Sequence, residues 1–196
     1  MSGNLIRRSV VCLIALGISA FAGCALSPQT VAVEPSLAVD AGDIGHGRTV
    51  ALNAIDSRTN KTLGTRGGVY SESSSISTAT GVQAALRQAM ADALTTLGFS
   101  VADAGTPADM TMTISLDDLS YLAKGDPVVD SVEVGAKVSS VVARGSETFK
   151  GTAGASKTRQ VLTAPSQVDN EAYINEILAI SLEKLLADKR FADFVK

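Results

Sequence analysis

Large apolar side chains alternate with small or polar ones at three places along the chain. At residues 48–55, Val50 and Leu52 alternate with Ala51 and Asn53, which predicts a first strand. Met110, Met112, Ile114 and Leu116 alternate with Thr111, Thr113 and Ser115, the clearest half-buried strand of the chain. Val132, Val134, Ala136, Val138 and Ser140 alternate with Glu133, Gly135, Lys137 and Ser139. The turn Ala143-Arg144-Gly145-Ser146 then leads into a further strand at residues 147–161. Small residues (Gly151, Ala153, Gly154, Ala155) fill the middle of that last strand and predict a bulge or a close helix contact. A short strand is also open at residues 99–102.

Two segments carry the helical period instead. Val82, Leu86, Met90, Ala93, Leu94 and Leu97 form one apolar face, opened by a capping-box spacing from Thr80 to Gln83 and closed by Gly98. Pro165 and Ser166 introduce a second helix, whose stripe runs through Tyr173, Ile174, Ile177, Leu178, Ser181, Leu182 and Leu185. A terminal turn places Phe191, Phe194 and Val195 to close one end of the core. The order β-α-β-β-β-α predicts an α+β fold. It is a two-layer sandwich in which a mostly antiparallel sheet of about four strands carries two helices on one face. The polar segment 56–68 and the serine-rich stretch 71–77 read as turn and exposed loop.

The N-terminus follows different rules. Residues 1–23 hold Arg7 and Arg8, no acidic residue, and an apolar run from Val10 to Ala22. That run is about 13 residues, short of the roughly 20 a spanning helix needs. A cationic start, a short apolar middle and small residues at the end make a cleaved signal peptide, exported by the general route. It ends at Phe21, Ala22 and Gly23, the residues read by a signal peptidase, with Cys24 directly after them. Phe21 departs from the leucine usual at its position. Cys24 is the expected lipidation site, its thiol carrying diacylglycerol and its amine an N-acyl chain such as palmitate. Two or more chains hold a protein firmly on a bilayer where one holds it marginally. Ala25, not aspartate, follows the cysteine, which favours the periplasm-facing outer membrane. Residues 24–47, with Pro28, Pro35 and the glycine-rich stretch Gly42 to Gly47, read as a lipidated N-terminus and flexible tether, with a short extended piece open at residues 30–34. Residues 48–196 then form a single periplasmic domain.

Composition narrows the function. Removing the signal takes two of the 17 Lys and Arg and none of the 20 Asp and Glu, leaving a mature net charge of about −5. Nucleic acid is therefore not an expected partner. Cys12 leaves with the signal, so the mature chain has no disulfide and no cysteine-based zinc site.

The lipobox, the order of elements and several short segments together resemble the YajG family of bacterial outer-membrane lipoproteins. The segments are Ala22-Gly23-Cys24, Asp56-Ser57-Arg58-Thr59, the helix exit Leu97-Gly98-Phe99, the hairpin at Gly145 and the terminal Phe191 to Lys196. The resemblance implies location and fold. It carries no catalytic residues.

A search for chemistry turns up little. His46, the single histidine, sits in the glycine-rich segment without an evident partner. Asp117, Asp118, Asp126 and Asp130 lack the calcium-loop spacing and read as a charged hairpin end. Arg58 and Arg66, with Lys61 between them, are the candidate ligand or partner loop. The alternative there is that Arg58 pairs with Asp56. The expectation is a non-enzymatic interaction module of the cell envelope, with no cofactor or metal beyond the acyl chains and with an envelope protein as partner. The competing expectation is a binder of an anionic envelope ligand, a peptidoglycan fragment or lipid headgroup, through the loop from Arg58 to Arg66.

Overall fold

A computed structural model describes residues 26–68, 71–125 and 128–196. Cys24 and the signal residues Phe21, Ala22 and Gly23 lie outside the described residues, as does Asp126. The strands in chain order are β1 (Gln29–Val31), β2 (Thr49–Asp56), β3 (Thr62–Thr65), β4 (Ser75–Thr78), β5 (Ser100–Asp103), β6 (Met110–Lys124), β7 (Ser131–Arg144) and β8 (Glu147–Gln160). The helices are α1 (Val82–Thr96), α2 (Gln167–Leu186) and α3 (Lys189–Val195), and a 3-10 turn covers Ser71–Ser73.

The fold is α+β, as expected, but the four-strand, two-helix count is corrected to one eight-stranded mixed sheet with three helices among the described residues. Three long strands form its spine: β6 pairs antiparallel with β7, and β7 with β8. The other edge of β6 takes two shorter strands end to end. β2 runs parallel to it over Val50 to Asp56, and β3 resumes the same edge at Gly64 and Thr65, opposite Tyr121 and Leu122. β5 extends the sheet beyond β2, while β4 and then β1 extend it beyond β3. Four of the seven pairings are parallel, so the sheet is mixed and not mostly antiparallel.

β6 shows why its length escapes the alternation. Up to Leu116 the even-numbered residues point inward. The register then shifts between Leu116 and Asp118, and the inward set becomes Leu119 and Tyr121. One extra residue on one strand reverses the facing of everything after it. Asp117 and Asp118 therefore lie in mid-strand at a bulge, not at a hairpin end.

α1 packs on β2 and β5, while α2 packs on β7 and β8. Leu86, Met90 and Leu94 of α1, and Ile174, Leu178 and Leu182 of α2, meet Leu52, Met112, Ile114, Val134 and Val138 in one core. The capping box expected at Thr80 is not formed. Gly81 caps α1 at φ 94°, with no side-chain bond, and Gly98 leaves the helix at φ 85°. α2 has the box instead, Ser166 and Asp169 bonding each other's backbone N–H. The small middle of β8 meets α2 closely: a Cβ on Gly151 would lie 3.2 Å from Leu185 Cδ1. The register of β7 with β8 runs without a bulge. Phe191 and Phe194 of α3 close that end, their ring centroids 6.0 and 5.9 Å from Phe149.

The segment read as a flexible tether is instead a strap. From residue 29 onward, β1 joins the sheet and Val31 and Val33 are buried in the core. The strap then runs extended along α2. Gln167 Nε2 donates to Thr30 O, Ala32 N to Glu171 Oε1, Glu34 N to Asn175 Oδ1, and Ala38 N to Glu183 Oε1. Two residues of extended chain advance about 6.6 Å and four residues of helix about 6 Å. Side chains spaced by four on α2 thus keep step with alternate backbone amides of the strap.

Candidate functional site

β2 ends at Asp56, and residues 57–61 leave the β6 edge before β3 rejoins it. That excursion carries Arg58 and Lys61. Arg58 turns back on Asp56 and grips it twice, Nε to Oδ1 at 2.8 Å and Nη2 to Oδ2 at 2.9 Å, while Nη2 also reaches Thr78 Oγ1 at 3.3 Å. The two side chains are 3% and 9% exposed, so this pair is taken out of water. Lys61 stays at the surface. Its Nζ bridges Asp56 Oδ2 at 2.8 Å and the Arg58 carbonyl at 2.8 Å. Burial alone would raise the Asp56 carboxyl. The hydrogen bonds from Arg58 and Lys61, with the Arg58 charge, outweigh it and hold the group at about 2. A shallow groove of about 450 Å³ lies beside this cluster, between Lys61 and the start of α1 at Gly81 to Ala84.

Arg66 stands at the far end of the β3–β4 pair. It too is buried, and it works as a clamp. Nη1 donates to Ser27 O at 2.9 Å and Nη2 to Pro165 O at 3.0 Å, joining the start of the strap to the loop before α2. With its oxygen toward Arg66, the Gln29 amide accepts from Arg66 Nε and Nη2 at 3.2 Å and from the Gln167 N–H at 3.1 Å; its nitrogen faces the Asn170 amide at 2.7 Å. Tyr121 closes this buried polar group. Its burial pushes the phenol up to about 12, against the opposing pull of the Arg66 charge.

The structure therefore brings Arg58 and Lys61 together but puts Arg66 elsewhere. Both guanidinium groups are spent on the protein's own acceptors, the alternative weighed for Arg58 from the sequence. Only Lys61 faces solvent, already bonded to Asp56 and the Arg58 carbonyl. His46 lies on the surface, 3.4 Å from Asp43. Among the described residues no three His, Cys, Asp or Glu side chains stand close enough to hold a metal ion.

The residues that sequence reasoning missed are Gln167, Glu171, Asn175 and Glu183, which bind the strap, and Gln29 and Asn170. Their signal was present: polar side chains at four-residue spacing on α2, beside an extended segment in which Val31, Val33, Leu37 and Val39 alternate.

β8 leaves a long strand edge open. It is 14 residues long and, among the described residues, pairs only with β7. The face of the long strands turned away from the helices is built of small and polar groups such as Thr113, Ser139, Thr152 and Gly154, with Lys137 and Lys150 among them. Lys184 Nζ reaches across to Gly154 O at 3.2 Å.

A family model described as uncharacterized lipoprotein matches residues 35–196. No curated protein matches the chain. Among solved structures, a protein from Xanthomonas campestris is similar at 11% identity, with 87% of this chain and 97% of that chain covered and a TM-score of 0.52. Rare lipoprotein B from Shewanella oneidensis is similar at 11% identity, with 74% and 96% covered and a TM-score of 0.50. At such identities these likenesses speak for the fold alone.

Proposed function

The chain belongs to this family of uncharacterized lipoproteins, and on that premise we propose that it is a YajG-like, non-catalytic interaction module, lipid-anchored through Cys24 to the periplasmic side of the outer membrane. The observation that carries the interaction reading is the free side of β8. A strand paired on one side presents a row of backbone donors and acceptors to an incoming extended segment. The side chains of its middle, residues 151–156, are small, so a strand added there meets little steric resistance. Lys150 at this edge favours an acidic partner segment and disfavours a basic one, whereas Lys157 is already paired with Glu176 of α2. The family match, the small-residue end of the signal and Cys24 support the anchor.

Two measurements test the reading. Intact mass and membrane fractionation of the wild type beside Cys24→Ala should give a mature wild type starting at Cys24, with acyl mass, in the outer membrane. A soluble or unprocessed wild type refutes the anchor. A photo-crosslinking residue at Thr152 should capture one envelope protein reproducibly in intact cells, and one at Ala84 on α1 should not. Equal capture at both positions, or none at either, refutes the β8 edge as the docking site.

A further inference from the structure

Six large apolar side chains are exposed among the described residues, and four of them gather at one end of the molecule: Leu162 at 96%, Val168 at 73%, Val128 at 60% and Leu122 at 53%. The pairing puts them together. Leu122 lies two residues before the end of β6, and Val128 is in the turn from β6 to β7. Leu162 follows the end of β8, where Val161 N bonds Asp130 O in that same turn. Val168 is in the first turn of α2, just past Pro165. The chain enters the domain here as well. Arg66 holds Ser27 O and Pro165 O at once, and Leu26 Cδ1 lies 3.6 Å from where a Cβ on Gly68 would stand.

Leu26 is two residues beyond Cys24, a reach of at most about 7 Å. Since the following residues are strapped to α2, there is no slack with which a domain anchored at Cys24 stands off from its bilayer. From this, resting on the lipid anchor proposed above, we infer that the end carrying Leu162, Val168, Val128 and Leu122 docks on the lipid surface. The apolar tips enter the boundary between headgroups and acyl chains, and the acylated cysteine inserts beside them. The occupant this end fits is a lipid bilayer. The apolar groups sit singly on a strand end, on turns and at a helix start, as interfacial anchors do, and the charges close by, Lys124 with Glu133 and Asp130, include both signs. Docking therefore draws on apolar insertion more than on attraction to anionic lipid. The domain is then held by two devices and has a fixed orientation, with the sheet spine rising from the membrane.

The chain contains no tryptophan, so one introduced indole reports alone. Leu162→Trp is made in the full-length chain, with Val168→Trp repeating the reading on the other side of Pro165. Val141→Trp, toward the far end of β7, is the reference. Each protein is checked for acyl mass, then reconstituted into phosphatidylethanolamine and phosphatidylglycerol vesicles with or without brominated acyl chains. Bromine should quench the indole at 162 and at 168 at least about twofold, with a blue-shifted emission, as expected for groups roughly 5–10 Å into the interface, and leave 141 unchanged. Acylated protein that floats with vesicles but shows equal emission at 162, 168 and 141 overturns the docking and leaves the anchor standing. A chain that carries no acyl mass overturns the anchor, and the docking with it.

Discussion

Replacing Asp56 with alanine removes the partner that makes a buried guanidinium tolerable. Arg58 is 3% exposed in its side chain, and two of its three nitrogens are spent on Asp56. The third, Nη1, is buried without a hydrogen-bond partner, so the pair is only partly compensated even in the native protein. Breaking a buried pair from one side costs about 3–5 kcal/mol, because the remaining charge stays desolvated. Set against a total stability of about 5–15 kcal/mol, that is a large fraction. With a urea slope of about 2 kcal/mol per molar, the unfolding midpoint of Asp56→Ala should fall by about 2 M. Asp56→Ala with Arg58→Met removes both charges and keeps apolar volume, and it should recover most of the loss.

Acid supplies a second reading of the same pair. The carboxyl is lowered from 3.8 to about 2, so its contribution, about 2 kcal/mol, is fully present above pH 4 and disappears as pH falls toward 2. The gap between wild type and Asp56→Asn should narrow through that window. The assay is urea unfolding of the mature protein followed by far-ultraviolet circular dichroism. A midpoint shift under about 0.5 M for Asp56→Ala, or a double variant no more stable than the single one, refutes the reasoning.

Three further outcomes follow from the packing. Asn175→Ala removes the bonds to Glu34 N and Ala32 O, so hydrogen exchange should quicken at the Glu34 amide, with a stability loss of about 1–2 kcal/mol; unchanged exchange there would contradict the strap. Gly64→Ala would put a Cβ 1.9 Å from Tyr121 O, and since backbone cannot yield as a side chain does, thermal unfolding should show a loss above about 4 kcal/mol or no folded protein. Leu178→Ala empties a fully buried site between α2 and the sheet and should cost about 2–5 kcal/mol in the same denaturation assay.

What could be read from the sequence was whatever depends on local period. The stripe through Leu86, Met90 and Leu94 gave α1, and the alternation at Met110 to Leu116 gave the first half of β6. The second half was lost because the bulge after Leu116 changes the phase of the pattern, and Leu119 and Tyr121 then look like a break. β3 and β4 were lost for another reason. Thr62 to Thr65 and Ser75 to Thr78 each bury one large apolar side chain, Leu63 and Ile76, and owe their strand form to pairing with each other and with β6. Such pairing is a tertiary fact that local composition does not contain. The residues of the candidate loop do not come together in the fold for a third reason. Arginines near a turn look available in one dimension, yet the acceptors that claim Arg66 lie 39 and 99 residues away, at Ser27 and Pro165.

The strap changes how an anchor at Cys24 acts on the domain. A glycine-rich tether would let the domain tumble, and its orientation to the membrane would average out. Here the glycines of residues 42–47 lie after the strap and bond the exit of α1: Gly42 N donates to Thr96 O, Gly45 N to Leu97 O and Gly47 N to Gly98 O, and a Cβ on Gly45 would meet the Gly98 backbone at 2.5 Å. They serve a backbone crossing at the exit of α1, not flexibility. Between Leu26 and that crossing the chain is held along α2 by side chains 167, 171, 175 and 183, and α2 lies on β7 and β8. Any pull at Cys24 is therefore transmitted through a few residues to the helix that backs the free strand edge. If lipid holds that end, β8 projects from the bilayer in one direction, and a partner strand meets it without an orientational search.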